Sequence, residues 1–288
     1  MDRGFLSNSE LKSLQGRVYY GVVVTILLVL ALAVLFPFLY AFTSGLKGST
    51  EIFTSGLNIV PENPQWGNYK TAWTEFRMAK LFKNSMVIVT GSVVLQMIIS
   101  CLAAYSLSNL KPIGGRVVMF GFLLTLMVPA IAYFVPLFVT LGNLPVLETS
   151  LLDSYWGLWL PYAVSAFTIF VLKNFFERIP GEIIDSAKID GASSLQTFIY
   201  IVLPLSRSII IILSILSFTG IWREYLLPLL IISNPEEQPI TVRLIYLADN
   251  YGINIQMAAA FTAMLPPLLV AIILQRFMRD GLTIGFSK

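Results

Sequence analysis

Six stretches of this chain are long and apolar enough to cross a lipid bilayer, and they constrain the fold more than any other feature. They are Val18–Phe42, Leu81–Ser106, Val117–Leu141, Trp156–Phe175, Ile209–Ile232 and Met257–Phe277. A helix rises about 1.5 Å per residue, so about 20 apolar residues cover a hydrocarbon core of about 30 Å. Only 12% of the 288 residues are charged, whereas a typical soluble domain has about 25%. Because the apolar runs are continuous rather than alternating, the sequence predicts an all-α integral membrane protein with six transmembrane helices and not a β-barrel.

The first run could also be read as a secretory signal, because Arg3, Lys12 and Arg17 precede it. Its apolar part is about 25 residues long, which exceeds the usual core of a signal peptide, and no A-x-A cleavage pattern follows it. The sequence therefore predicts a helix that is retained in the membrane.

Lysine and arginine are unevenly distributed among the segments that join the apolar runs, and this bias predicts the orientation of the chain. The segments on one side hold Arg3, Lys12, Arg17, Lys111, Arg116, Lys173, Arg178, Lys188, Arg279 and Lys288. On the other side, residues 142–155 carry none and residues 233–256 carry only Arg243. The loop 43–80 carries four, but long loops translocate with less regard to charge. We therefore expect a cytoplasmic N-terminal segment 1–17, a six-span domain 18–277 and a cytoplasmic C-terminal tail 278–288.

The residue types that are rare or absent narrow the chemistry of this chain. It contains no histidine, which removes Ser-His-Asp and Cys-His nucleophile systems and histidine metal ligands. Cys101 is the single cysteine, so an intrachain disulfide is excluded and a cysteine metal site is not expected. The net charge of +3 fits the basic loops of a membrane protein and requires no nucleic acid partner. We expect no metal and no cofactor in this chain.

A polar segment interrupts the apolar pattern between the fourth and fifth runs. Residues 173–190 hold seven charged side chains: Lys173, Glu177, Arg178, Glu182, Asp185, Lys188 and Asp190. Each would cost about 2.5–3.5 kcal/mol at the centre of a membrane helix, so together they would cost on the order of 20 kcal/mol. The loop at about 176–206 is therefore expected outside the bilayer core, on the cytoplasmic side.

Local signals within this loop predict two short helices joined by a glycine. Pro180 suits a first helical turn, and Gly191 suits a left-handed helix end. Ser193 and Gln196 have the spacing of a capping box for the second helix, and Pro204 predicts a change of direction. The apolar positions of the second helix are spaced as one amphipathic stripe: Leu195, Phe198, Ile199 and Val202. Such a loop could simply rest on the membrane, or it could dock a cytoplasmic partner.

The spacing of this loop resembles the motif of a known family. Permease subunits of ABC importers carry the cytoplasmic pattern E-A-A, three residues, G, nine residues, I-x-L-P. This chain reads Asp185-Ser186-Ala187, then Gly191 after three residues, then Ile201-Val202-Leu203-Pro204 after nine. Asp185 and Ser186 depart from glutamate and alanine, but they keep the acidity and the small size.

More of the chain resembles the carbohydrate-uptake branch of that family, the maltose-type, binding-protein-dependent permeases. "IPGEIIDSAKIDGAS" is similar to the motif text of this branch. Further similar stretches are "LFKNS" (81–85), "LLDSYWGLWLP" (151–161), "WREYLLPLL" (222–230) and "RFMRDGLTIG" (276–285). Arg223 departs from the asparagine that is usual there. The resemblance covers most of the chain and is weakest before residue 81.

The resemblance implies an all-α permease in a prokaryotic inner membrane, with a cytoplasmic coupling-helix loop between spans 4 and 5. Its partners would be a second permease subunit in a heterodimer, two cytoplasmic ATPase subunits that hold ATP and Mg, membrane lipid, and an extracytoplasmic binding protein that delivers a sugar. This chain would then be a non-catalytic subunit that alternates between inward-open and outward-open states. The residues implied in ATPase coupling are Glu182, Asp185, Ser186, Ala187, Asp190 and Gly191, framed by Ile201, Leu203 and Pro204.

A polar cluster inside the fifth run is the candidate for contact with the transported solute: Trp222, Arg223, Glu224 and Tyr225. Two adjacent charges in an apolar span are costly and indicate a functional role. Aromatic rings and planar polar groups suit sugars, and arginine would also suit an acidic sugar or a polyol phosphate. The alternative is a structural Arg–Glu pairing between helices. Asn84 is a weaker candidate, for which a role at a helix start is the alternative.

Two other classes of function compete with ATP-driven uptake. An ion-coupled secondary transporter or a channel would use ionisable residues within its spans, which are few here, and it would leave the polar loop without a purpose. An intramembrane enzyme fits least, because the chain lacks histidine and has no clustered Asp/Glu motif within the spans.

Overall fold

The computed structural model describes residues 13–54, 56, 58–145 and 148–284, with side chains as far as residue 273. Arg3, Lys12 and Lys288, which carry part of the orientation prediction, lie outside the described residues. Within these ranges every regular element is helical, and two helices contain π-helical turns, at Ser106–Leu110 and Phe198–Val202. The α-helices are α1 (Leu14–Gly45), α2 (Ser49–Thr54), α3 (Gly67–Glu75), α4 (Met78–Tyr105), α5 (Gly115–Thr125), α6 (Ala130–Gly142), α7 (Trp156–Tyr162), α8 (Ala166–Phe176), α9 (Gly181–Ile189), α10 (Ser194–Thr197), α11 (Leu203–Leu205), α12 (Arg207–Trp222), α13 (Leu226–Ile231), α14 (Ile240–Ala248) and α15 (Ile253–Ile284).

Three described segments are individually long and apolar enough to cross a bilayer. They are Leu14–Gly45, Met78–Leu110, in which α4 continues into a π-helical turn, and Ile253–Ile273 within α15. Three pairs of helices qualify only together, because each pair is bent at a short break: Gly115–Thr125 with Ala130–Gly142, Trp156–Tyr162 with Ala166–Phe176, and Ser194–Leu205 with Arg207–Trp222. The all-α membrane fold is confirmed, and six crossings result if each bent pair forms one.

The third predicted span, Val117–Leu141, is not one continuous helix, because α5 and α6 meet at 104°. Before the break, the N–H groups of Leu126, Met127 and Val128 donate to carbonyls three residues back. Pro129 then has an extended backbone, with ψ 133°, and it has no N–H with which to continue the helical ladder. Apolar composition is the same in a straight and in a bent segment, so the sequence pattern does not reveal this break.

The fifth predicted span, Ile209–Ile232, is also broken, because α12 ends at Trp222 and α13 begins at Leu226. The Glu224 carboxylate accepts hydrogen bonds from the N–H groups of Tyr225 and Leu226, both at 3.2 Å. It thereby satisfies donors that a helix start leaves without a carbonyl partner. The chain also turns by 76° between Leu205 and Arg207, just after the predicted turning point.

By its internal contacts the chain divides into two compact units, residues 1–76 with 248–262 and residues 77–247 with 263–288. In the first unit, Phe42, Trp66, Tyr69 and Phe261 form a series of ring contacts with centroid separations of 5.0–6.3 Å. The Tyr69 hydroxyl also donates to the Phe42 carbonyl at 2.8 Å. Aromatic residues of the long loop 43–80 therefore pack within this unit.

The second unit is built around α4, which packs against α7, α8 and α12. One group of buried side chains lies toward the end of α4 that meets the polar loop: Met97, Cys101, Ala104, Tyr105, Leu172, Phe176, Phe198, Val202 and Leu213. A second group lies toward the start of α4: Ile88, Phe134, Leu141, Leu158, Leu227, Ile231 and Ile232. The same helix thus contacts both the polar loop and the broken segments that precede α14.

Side-chain hydrogen bonds join the loops near the start of α4. Asp153 accepts from the Ser233 N–H and hydroxyl at 2.6 and 2.7 Å, and from the Asn234 N–H at 3.1 Å. These bonds, led by that of the Ser233 hydroxyl, hold the pKa of the Asp153 carboxyl below its ordinary value. Glu236 pairs with both Arg77 and Lys80. The stretch "LLDSYWG" therefore holds two loops together, because its Asp153 binds residues 233 and 234.

Candidate functional site

The polar loop contains two helices, as the sequence predicts, and its elbow is a hydrogen-bonded helix end. At the end of α9, the Gly191 N–H donates to the Lys188 carbonyl at 3.0 Å, and the Ala192 N–H donates to the Ala187 carbonyl at 2.9 Å. This pair of bonds is the Schellman motif. Gly191 has φ +82°, a left-handed conformation that costs about 1–2 kcal/mol for a residue with a side chain. The geometry of the elbow therefore favours glycine at this position.

The second helix of the loop starts with the predicted capping box. Ser193 Oγ accepts from the Gln196 N–H at 3.3 Å, and Gln196 Oε1 accepts from the Ser193 N–H at 2.8 Å. These reciprocal bonds satisfy two N–H groups that the start of a helix leaves unpaired. The loop is therefore well ordered by its own sequence, independently of any partner.

The prediction that the apolar residues of this second helix form one amphipathic stripe is wrong. Phe198 and Val202 are buried, whereas Leu195 and Ile199 are exposed. A π-helical turn occupies Phe198–Val202, and its wider turn breaks the 3.6-residue periodicity on which the prediction rests.

The residues predicted to couple to an ATPase lie mostly on the outer side of the loop. Glu182, Asp185, Ser186, Asp190, Gly191 and Pro204 are exposed, Ile201 and Leu203 are half-buried, and Ala187 is buried. Ala187 and Ile184 are the buried residues of α9, so the small size of Ala187 serves packing within the unit. Ile183 is exposed, and Ile189 is 86% exposed. The outer surface thus sets exposed aliphatic side chains among carboxylates, the arrangement of an apolar contact with a polar rim.

The loop is attached to α4 through Tyr105. The Tyr105 hydroxyl donates to the Ser194 carbonyl at 3.0 Å, and its ring lies 4.9 Å from that of Phe198. Phe198 belongs to the same buried group as Leu172 and Phe176 of α8. A displacement of the loop would therefore change its contacts with both α4 and α8.

A second candidate site is a polar cavity of about 360 Å³ within the same unit. Its lining comes from α4, the end of α7, α8, α12 and two helix breaks: Gln96, Tyr162, Ser165, Phe167, Thr168, Leu213, Leu216, Ser217, Gly220, Ile221, Arg223 and Glu224. One break lies between α7 and α8, where Ser165 caps α8 by accepting from the Thr168 N–H. The other lies between α12 and α13, at Arg223 and Glu224. Interrupted helices in transporters expose polar backbone where they line a solute path.

Two buried polar atoms on this cavity lack a hydrogen-bond partner among the described residues. They are Gln96 Oε1 and the Tyr162 hydroxyl. Buried polar groups are nearly always paired with protein or water, so these two atoms are candidate hydrogen-bonding groups beside the cavity. Sequence reasoning did not identify them. Gln96 gave one signal, a polar amide inside an apolar run, but nothing in the sequence connects it with residue 162.

The predicted solute cluster is divided by the fold. Arg223, which is exposed, and Glu224, which is half-buried, line the cavity, whereas Trp222 and Tyr225 are not among its lining residues. Within the described chain, Arg223 and Glu224 form no ion pair, and the Glu224 carboxylate is engaged at the start of α13. Trp222 is buried, stacks on Phe218 at 5.7 Å, and donates its indole N–H to the Ala263 carbonyl at 3.3 Å. Trp222 therefore serves packing between helices.

Asn84 lies near the start of α4, away from the residues that line the cavity. Its amide nitrogen donates to the carbonyls of Glu236 and Gln238 at 2.9 and 3.1 Å, and its oxygen accepts from Tyr155 at 3.5 Å. The neighbouring Ser85 Oγ accepts from the Ile240 N–H at 2.8 Å. These contacts give Asn84 a structural role in joining α4 to the segment before α14, so a place in the solute path finds no support here.

A multi-span helical fold with a capped polar loop and a polar cavity at interrupted helices defines a membrane transport protein of the permease class. The chain belongs to the family of binding-protein-dependent transport system inner membrane components, which it matches over residues 96–283. That range includes the polar loop and both helix breaks that line the cavity.

Several named permeases are similar to this chain over most of its length. The diacetylchitobiose uptake system permease protein NgcG of Streptomyces coelicolor is 30% identical, over 90% of this chain and 86% of its own. The sn-glycerol-3-phosphate transport system permease protein UgpE of Pectobacterium atrosepticum is 32% identical, over 89% of this chain and 93% of its own. A probable ABC transporter permease of Pyrococcus horikoshii is 32% identical, over 90% and 94% respectively.

Solved structures support the fold. A chain in the crystal structure of a bacterial ABC transporter involved in the import of the acidic polysaccharide alginate has a TM-score of 0.78 and 22% identity, covering 95% of this chain and 99% of that one. A chain of a bacterial alginate ABC transporter in complex with a pentasaccharide-bound periplasmic protein has a TM-score of 0.54 and 12% identity, covering 97% and 98%. At these identities the likeness concerns the architecture alone.

Proposed function

We propose that this chain is the permease subunit of an ABC importer for a carbohydrate or a polyol-type solute. The polar loop carries the proposal, because a simple membrane pore has no need of an ordered, capped two-helix element outside the bilayer. Family membership supports binding-protein-dependent transport over an ion-coupled secondary transporter. Similarity to a diacetylchitobiose permease and to glycerol-3-phosphate permeases supports the class of solute.

In this proposal the loop receives the motion of a partner ATPase. Glu182, Asp185 and Asp190 supply charge on its outer surface, and Ile189 supplies an exposed aliphatic anchor. ATPase subunits that bind the loop differently in their ATP-bound and ATP-free states would shift the permease between two conformations. ATP and Mg are handled by those subunits, and this chain is a non-catalytic component.

The loop side is proposed to face the cytoplasm, together with both chain termini. The opposite surface would then receive the solute-loaded binding protein, and a second permease subunit would complete the path. Lysine and arginine support this orientation, because they concentrate on the loop side. A prokaryotic inner membrane is the corresponding location.

The polar cavity is proposed as the part of the solute path that this subunit contributes. Its unpartnered Gln96 and Tyr162 groups and the hydroxyls of Ser165, Thr168 and Ser217 can exchange hydrogen bonds with a polyhydroxylated solute. Phe167 offers an apolar face for the C–H surface of a sugar ring. An amide, a phenol and hydroxyls give this recognition without requiring a charge on the solute.

Arg223 favours a second candidate, an acidic sugar or a polyol phosphate. Arg223→Asn is expected to lower transport of such an acidic solute about 10- to 100-fold, because charge-assisted hydrogen bonds contribute about 1.5–3 kcal/mol. Transport of a neutral disaccharide should change little. The measurement is uptake of both solutes by the reconstituted importer, with Arg223→Lys as the variant that keeps the charge. Equal effects on both solutes would remove the acidic-solute candidate.

The proposed function is tested by reconstituting the complete importer in lipid. We expect ATP hydrolysis to rise when the binding protein is added together with its solute, and the panel should include neutral disaccharides, amino-sugar oligosaccharides, uronic acids and polyol phosphates. ATP hydrolysis that does not respond to any loaded binding protein, with uptake that follows an ion gradient instead, would contradict the proposal.

A further inference from the structure

A cavity of about 680 Å³ lies beside the polar loop and has no part in the function proposed above. It is formed between the π-helical turn that ends the second span, the connection to α5, α5 itself and the end of α8. Its lining residues are Leu107, Lys111, Pro112, Gly114, Gly115, Arg116, Met119, Phe120, Leu123, Lys173 and Glu177. The chemistry of this lining changes from one end to the other.

One end of the cavity is positively charged. Lys173 pairs with Glu177 across 2.7 Å, and among the described residues neither Lys111 nor Arg116 forms an ion pair. Three cations and one carboxylate therefore give the lining a net charge of +2. Both unpaired cations are exposed, so this end is open to an anion that arrives from outside the protein.

The other end is apolar and continues onto the surface of α5. Leu107, Met119, Phe120 and Leu123 line the cavity, while Val117 and Phe120 are 74% and 61% exposed on the same helix. Because α5 belongs to a bent pair that qualifies as a membrane span, this exposed face is suited to acyl chains. Lys111 lies just before α5 and Arg116 lies in its first turn, so they stand where this span would meet the lipid headgroups.

We propose that this cavity, hereafter the basic cavity, binds an anionic phospholipid, with its phosphate at Lys111 and Arg116 and an acyl chain along α5. Basic pockets between transmembrane helices at the membrane surface are suited to anionic headgroups. An inorganic phosphate would use only the charged end of the cavity. A protein segment would leave unexplained why the apolar wall continues onto the face of α5 that is exposed within this chain.

The bound lipid would stand at the base of the polar loop. Lys173 lies in the last turn of α8, Glu177 is the residue that caps its end, and α9 begins at Gly181. Headgroup contact with Lys173 would hold the end of α8 in place, so the lipid could influence how the loop moves. The binding itself needs neither the ATPase nor the solute, so the proposal stands or fails separately from the proposed function.

The test uses the complete transporter complex, delipidated in detergent and titrated with phosphatidylglycerol or phosphatidylcholine, with bound lipids counted by native mass spectrometry. The double variant Lys111→Gln/Arg116→Gln should weaken phosphatidylglycerol binding about 30-fold, since each basic residue near a membrane surface contributes roughly fivefold. The matched control is Arg178→Gln/Arg207→Gln, which removes the same charge from exposed positions outside the basic cavity. It should leave binding unchanged, and phosphatidylcholine binding should be the same in all three proteins.

Equal losses in the two double variants would show a non-specific charge effect and overturn the proposal. Unchanged phosphatidylglycerol binding in the Lys111/Arg116 variant would also overturn it, and release of the ATPase in that case would assign the surface to protein docking. If inorganic phosphate displaces the lipid at an equal concentration, the apolar wall contributes nothing to lipid affinity, and the proposal of a phospholipid site is overturned. Phe120→Ala should weaken lipid binding while leaving phosphate binding as it is.

Discussion

Gly191→Pro is expected to reduce ATP-driven transport strongly while the chain still inserts into the membrane. Proline fixes φ near −65°, whereas Gly191 has φ +82°, so the left-handed elbow cannot form. The substitution also removes the N–H that donates to the Lys188 carbonyl. Uptake and binding-protein-stimulated ATP hydrolysis should fall tenfold or more, which corresponds to a loss of about 1.4 kcal/mol in the coupling contact. Both are measured in proteoliposomes that contain equal amounts of permease.

Gly181→Pro is the matched control, because it makes the same change ten residues earlier in the same loop. Gly181 is the first residue of α9, a position that favours proline, and the preceding Pro180 already has the extended backbone that a following proline requires. A Cβ at either glycine meets nothing within 4 Å, so crowding cannot account for a difference. Normal transport in the Gly191→Pro variant would contradict the coupling role, and equal losses in both variants would point to general disruption of the loop.

The hydropathy of the sequence predicts where the membrane spans lie but not how each one is bent. The break between α5 and α6 coincides with Pro129, yet Pro37 and Pro136 lie inside continuous helices. Proline is therefore ambiguous in a membrane helix, because neighbouring groups can satisfy the carbonyl that it leaves free. The break after Trp222 had a clearer signal, since the charged pair Arg223-Glu224 is costly inside an apolar run.

The polar loop could be predicted more completely than the cavity, and the reason is the range of the interactions involved. The capping box at Ser193 and the helix end at Gly191 depend on residues within a few positions of each other, so spacing alone indicates them. Gln96, Tyr162 and Arg223 meet only because α4, α7 and α12 pack together. A single sequence contains no signal that predicts this tertiary contact. The π-helical turn at Phe198–Val202 likewise could not be predicted from a pattern that assumes 3.6 residues per turn.

The start of α7 is a place where close packing, rather than backbone conformation, requires glycine. Gly157 is buried, and a Cβ on it would lie 2.8 Å from Ile231 Cγ2 and would collide with the Leu151 carbonyl oxygen. That carbonyl is held in position, because the Leu151 N–H donates to the Leu141 carbonyl at 2.8 Å. The backbone around Leu151 therefore has little freedom to move away from an added methyl group.

Gly157→Ala is consequently expected to destabilise the second unit by about 3 kcal/mol, the upper end of the usual range for overpacking. The melting temperature of the purified chain in detergent, followed by fluorescence-detected size exclusion, should fall by about 5–10 °C. Gly121→Ala in α5 is the control, since a Cβ there meets nothing within 4 Å and alanine favours a helix over glycine by about 1 kcal/mol. The control should be unchanged or slightly stabilised. A similar fall in both variants would show that loss of glycine, and not the contact with Leu151, is responsible.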